Sequence, residues 1–121
     1  MSKVYIVAAK RTAIGKFLGT IANVPAADLA ATVIKNILTE TKVDPAKIDE
    51  VIVGNILMAG QKQGVARQAA IKAGIPQEVP AYGLNMICGS GMKSIINAVA
   101  SIKAGDANLI RSEEHTSELQ S

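Results

Sequence analysis

The 121-residue chain holds one cysteine, one histidine and no tryptophan, and its two Tyr and one Phe make up 2% of it. A single cysteine excludes an internal disulfide and a four-cysteine metal site, and it fits a reducing compartment. So few aromatics leave Val, Ile, Leu, Ala and Met to build the core. That composition suits helices packed on a buried sheet better than an aromatic-rich sandwich. The basic side chains are scattered, with almost no rings between them to stack on bases, which argues against nucleic acid as a partner. No apolar run approaches the length of a membrane span, and the opening MSKVYIVAAKRT lacks the long apolar stretch of a secretory leader. The expectation is a soluble, cytoplasmic chain with no membrane partner and no metal.

What is present is 49% hydrophobic and 19% charged, the balance of one globular domain or part of one. The first 110 residues carry 12 basic and 7 acidic side chains, or +5, and residues 111–121 bring the total to +3. A mild, diffuse excess of this kind suits a phosphate-bearing small molecule.

Hydrophobic periodicity divides the chain. KVYIVAA, residues 3–9, is a short β-branched run without helical period and predicts a buried first strand. From Pro25, Leu29, Val33 and Ile37 recur at helical spacing, with Asp28 placed to complement the dipole, so a helix is expected to about Leu38. Asp44 before Pro45 reads as the cap of a single turn. VIVGNILMAG, residues 51–60, predicts a second strand running out into a loop, and GVARQAAIKAG a short helix stopped by Gly74 and Pro76. AYGLNMI, residues 81–87, predicts a third strand, on which Tyr82, Leu84 and Met86 share a face. Beyond it Met92, Ile95, Ile96, Val99 and Ile102 form the apolar stripe of a helix ending near Gly105, and ANLI opens a fourth strand. Strand and helix alternate throughout, which predicts an α/β fold: a βαβαβαβ layer with a mainly parallel sheet.

The chemistry concentrates in NMICGSGMK, residues 85–93. Cys88 stands where a strand gives way to a helix. A thiolate is the competent nucleophile, and a free thiol ionises only near pH ~8.5, so a working cysteine needs surroundings that favour negative charge. Unpaired N–H groups at the start of the next helix would supply them. Gly89 and Gly91 clear side chains from the sulfur and leave backbone N–H groups for an oxyanion, and Ser90 is a candidate cap. The segment is not a phosphate-binding P-loop, because Met92 separates Gly91 from Lys93. The bland alternative is a binding or interaction module in which Cys88 is a small buried hydrophobe, the commoner role of a lone cysteine. Around it, Arg67 and Gln68 are candidates for positioning a loop, Asn85 for fixing the backbone beside Cys88, and Lys93 for a solvated side chain.

LNMICGSGMKSI resembles the acyl-enzyme cysteine signature of the thiolases, the acetyl-CoA acetyltransferase family. VAAKRTAIGKFLGTI is similar to that family's opening segment, VIVGNILMAGQKQGVARQAAIKAGIP to its second strand and following helix, and AGDANLI to the start of its fourth strand. The resemblance covers residues 1–110 and implies a partial thiolase N-terminal domain with an incomplete sheet. It implies that Cys88 carries the acyl group, and that acetyl-CoA or another acyl-CoA is substrate with no further cofactor. The implied reaction condenses two acetyl-CoA to acetoacetyl-CoA, or thiolyses a 3-ketoacyl-CoA in reverse, through an acyl-cysteine. It also implies a homo-oligomeric parent protein whose activating histidine and second cysteine lie downstream, so that the 121-residue chain alone is expected to be inactive. No substrate-binding residue is assigned.

Residues 111–121, RSEEHTSELQS, have a different character, without Gly, Ala or a β-branched aliphatic side chain. Residue for residue they resemble the conceptual translation of a common sequencing-library adapter. The string is therefore expected to be a non-native, disordered tail in which His115 has no evolved role.

Overall fold

The structure is a computed structural model that describes residues 3–115. Its first helix, α1 (Ala26–Thr41), follows Pro25, whose φ of −59° suits a helix entrance, and ends on Lys42 in the left-handed region at φ 57°. Asp28 lies in its first turn, as its spacing predicts, and its carboxylate pairs with Lys72. The Asp44 side chain accepts from the Ala46 N–H at 3.0 Å and caps the single turn Pro45–Lys47. Strand β1 (Glu50–Asn55), helix α2 (Val65–Lys72), strand β2 (Ala81–Leu84), helix α3 (Ser90–Ala104) and strand β3 (Ile110–His115) complete the order. Gly74 (φ 89°) and Gly105 (φ 85°) supply the left-handed residues that stop α2 and α3.

The three strands form one parallel sheet in the order β2-β1-β3. Each parallel neighbour is reached through a helix, which is the α/β architecture the alternating pattern predicts. The pleat divides β1. Val51 and Val53 join Ala27, Ala30, Ile34, Ala66, Ala69 and Ile75 in a core between the sheet and the pair α1/α2. Gly54, on the opposite face, meets the backbone of Ser90 at the start of α3. Alanine dominates the first interface, so the helices approach closely without large side chains.

Three expectations are corrected. Residues 3–9 form no strand: Tyr5, Ile6 and Val7 are 72%, 80% and 72% exposed, and among the described residues no backbone hydrogen bond joins this segment to another element. A β-branched run becomes a strand only when it docks on an edge in register. Here the segment lies instead along one wall of an open groove whose other walls are the end of α1, the outer face of α3 and β3. The second correction concerns α3. Its stripe of large apolar residues faces out, with Met92 63%, Ile95 39% and Ile96 49% exposed, and its buried face is Ser90, Gly91, Ser94 and Ala98. Small side chains won that face because β1 and α3 approach too closely for larger ones.

The third concerns the chain after Ile110. Where disorder is expected from residue 111, Arg111 to His115 continue β3 and pair in register with Val51 to Asn55. A ladder uses main-chain groups, so an edge strand can run on through side chains of any kind. Residues 116–121, and the side chain of His115, lie outside the described residues.

Candidate active site at Cys88

Strand β2 ends at Leu84, three residues earlier than the apolar run suggests, and a tight turn carries the chain into α3. Four hydrogen bonds from two side chains build that turn. The Asn85 Oδ1 accepts from the Ile87 N–H at 3.0 Å, and Asn85 Nδ2 donates to the Ile56 carbonyl at 3.2 Å, just past the end of β1. The Ser90 hydroxyl accepts from the Met86 N–H at 2.9 Å and donates to the Ile87 carbonyl at 2.7 Å. Ile87 is left with a φ of 49°, and the next residue, Cys88, is exposed to solvent. A β-branched residue in the left-handed region is an outlier worth roughly 1–3 kcal/mol of strain, of the kind that gathers at functional turns.

The helix start is held from below as well. A Cβ on Gly54 would stand 2.7 Å from the Ser90 carbonyl carbon and 2.9 Å from the Gly91 nitrogen, so only glycine lets β1 support this corner. A glycine in the interior of a strand is itself a sequence sign of close backbone approach. Ser90, the candidate cap, does not cap α3. Gly89 occupies the cap position and no side chain bonds there, because the Ser90 hydroxyl is committed to Met86 and Ile87. The N–H groups of Gly89 and Ser90 close onto the Met86 and Ile87 carbonyls at 3.0 and 3.1 Å. Those two donors therefore hold the turn. The Lys93 N–H then bonds to the Gly89 carbonyl at 2.8 Å, and Gly91 is buried against Gly54 and Glu114.

Arg67 and Gln68 clamp the neighbouring loops. Arg67 donates to the Gln77 and Val79 carbonyls at 2.9 and 3.3 Å, and Gln68 to the Gln61 and Gln63 carbonyls at 2.7 and 3.1 Å. Lys93 is half-buried one turn into α3. Tyr82 on β2 and Met86, two residues past its end, are 37% and 53% exposed, so neither is core, and the Tyr82 hydroxyl accepts from Asn97 at 3.2 Å. The exposure of Cys88 also removes the premise of the bland reading, a buried structural cysteine.

The family described as Thiolase, N-terminal domain, matches residues 4–111. The chain belongs to the thiolase family. An acetyl-CoA acetyltransferase of Pseudomonas aeruginosa is 51% identical over 110 residues, 91% of this chain and 28% of the relative. A probable acetyl-CoA acyltransferase of Staphylococcus aureus and an acetyl-CoA acetyltransferase of Cupriavidus necator match at the same identity and coverage. This thiolase chain thus spans about a quarter of the length of the curated relatives it matches. Among its described residues, no helix is long and apolar enough to cross a membrane.

Proposed function

We propose that the protein to which these residues belong is an acetyl-CoA C-acetyltransferase in which Cys88 carries the acyl group. The observation that carries the reading is the placement of an exposed cysteine after a strained turn and directly before a helix, inside the segment that matches the thiolase N-terminal domain. In the first half-reaction the Cys88 thiolate attacks the thioester carbonyl of acetyl-CoA. A tetrahedral oxyanion forms, collapses, and expels CoA as its thiolate, which takes up a proton. In the second, an acetyl-CoA that has lost a methyl proton to a base attacks the acyl-cysteine through carbon, forming acetoacetyl-CoA and returning Cys88 to the thiolate. Covalent catalysis divides one hard step into two.

The substrate class follows from this reading: acyl-CoA thioesters, with no metal or organic cofactor. The same reading makes the whole protein a cytoplasmic homo-oligomer, and the exposed Tyr82 on the sheet-edge strand β2 and Met86 two residues past its end are in keeping with a subunit contact. The 121-residue chain by itself should not thiolyse acetoacetyl-CoA, since the family's histidine and second cysteine are expected beyond it. The test of Cys88 is its rate of alkylation by iodoacetamide near neutral pH, native against urea-unfolded. Faster native reaction supports an activated thiol. Equal rates reject the acyl-carrier reading.

We propose, separately, that residues 111–121 are foreign to the protein. Arg111 and Glu113 stand on the same side of the sheet as Val51 and Val53, are only 14% and 11% exposed, and pair with each other at 2.7 Å. Burial pushes the Glu113 carboxyl up and the Arg111 guanidinium down from their ordinary values, against the attraction between them, and Arg111 Nε has no hydrogen-bond partner. Parallel strands covered on both faces are normally apolar, and this one carries charge where its neighbour carries valine. Sequencing the source DNA across the codons for Leu109 to Arg111 decides it: a frame continuing into further thiolase sequence supports the proposal, and genomic RSEEHTSELQS refutes it.

A further inference from the structure

We infer that Asn85 is the positioning residue of the Cys88 turn: its side-chain amide holds Ile87 in the left-handed conformation that presents Cys88, and ties the turn to the end of β1. The functional part of this inference rests on the acyl-carrier reading of Cys88. Its structural part stands without it.

Packing does not hold Ile87 at its φ of 49°, because the side chain is 62% exposed. Hydrogen bonds must do so. Ser90, itself seated against Gly54, supplies those to the Ile87 carbonyl, from its hydroxyl and its N–H, but none to the Ile87 N–H. Asn85 alone reaches in two directions. Its Oδ1 accepts the Ile87 N–H, and its Nδ2 reaches the Ile56 carbonyl, 29 residues away in sequence and on a different strand's exit. Both partners are main-chain groups, so a single side chain fixes the turn's internal shape and its location relative to β1. Loss of that side chain frees Ile87 to return to an ordinary φ. The peptide leading into Cys88 would then rotate, and the sulfur would leave its place ahead of α3.

The test is a cycle of four chains: wild type, Asn85→Ala, Ile87→Gly and the double variant. Glycine takes a positive φ freely, so the duty assigned to Asn85 disappears in the Ile87→Gly background, and the unfolded-chain effect of glycine cancels within the cycle. In urea unfolding, Asn85→Ala should lower the folding constant about tenfold beside Ile87, the worth of one hydrogen bond, and about twofold or less in the Ile87→Gly background. Native alkylation of Cys88 should fall toward the unfolded rate in Asn85→Ala and recover in the double variant. Equal losses in both backgrounds overturn the inference, because Asn85 would then serve folding in general. If Asn85→Ala does not fold, Asn85→Asp retains the acceptor for the Ile87 N–H. Folding of that variant with a native alkylation rate above its unfolded rate supports the role, and a rate equal to the unfolded one overturns it. A wild-type chain alkylated no faster native than unfolded would reject the acyl-carrier reading and leave the stability cycle to decide Asn85.

Discussion

Substituting Gly54 by alanine adds one methyl group to β1 and aims it at the backbone that supports Cys88. The added carbon would lie 2.7 Å from the Ser90 carbonyl carbon, 2.8 Å from its oxygen and 2.9 Å from the Gly91 nitrogen. Ordinary contacts of this type are about 3.5–4.0 Å, so the first turn of α3 must retreat by roughly 1 Å. The obstructing atoms are main chain and cannot rotate aside. Overpacking of this kind costs about 1–3 kcal/mol, and the better strand propensity of alanine returns roughly 0.5–1 kcal/mol. A net loss of about 1–2 kcal/mol is expected in urea unfolding. Gly83→Ala is the control, since its Cβ would meet only the Val53 carbonyl at 3.5 Å, and it should be neutral or mildly stabilising. Because Ser90 bonds Met86 and Ile87, the displaced helix should also slow native alkylation of Cys88 in Gly54→Ala and leave it unchanged in Gly83→Ala. A Gly54→Ala chain as stable as wild type, with an unaltered alkylation rate, would refute the claim that β1 supports this corner.

Cys88→Ser should change stability by less than about 0.5 kcal/mol in urea unfolding, because the side chain is exposed. Arg67→Ala removes donors to the Gln77 and Val79 carbonyls and should cost about 1–2 kcal/mol in the same assay. Replacing Arg111 and Glu113 together by valine should stabilise the chain by about 1–4 kcal/mol, while Arg111→Ala alone, which strands a buried carboxylate, should destabilise it; both are read from thermal unfolding. For pH, burial raises the Glu113 carboxyl and the Arg111 guanidinium opposes it only in part. A carboxyl raised on folding contributes stability that is full below the unfolded value of about 4.3 and is lost as pH rises through the folded value. Wild type should therefore gain stability relative to Glu113→Gln as pH falls from 7 toward 5, and no such difference would show that Glu113 is not held in a desolvated site.

The family was legible in the linear chain because the residues that carry the resemblance are neighbours: Cys88, the glycines on either side of Ser90, and the helix that follows. Local signals also placed α1, α2 and α3 and the turns at Asp44, Gly74 and Gly105, since caps and helical periodicity act within a few residues. Pairing does not act locally, and there the reading was weakest. Residues 3–9 have the composition of a strand and find no partner in register, while charged residues 111–115 have the composition of a tail and are held by the open edge of β1. The face of α3 was misjudged for a related reason. Periodicity shows that a helix has an apolar stripe, but the distance between two backbones decides which face is buried, and that distance is set by Gly54 against Ser90 and Gly91. The sequence by itself determined the family, the alternation of helix and strand, and the cysteine. Only the tertiary structure decided that Asn85 and Ile56, far apart in the chain, meet to hold the turn from which Cys88 is presented.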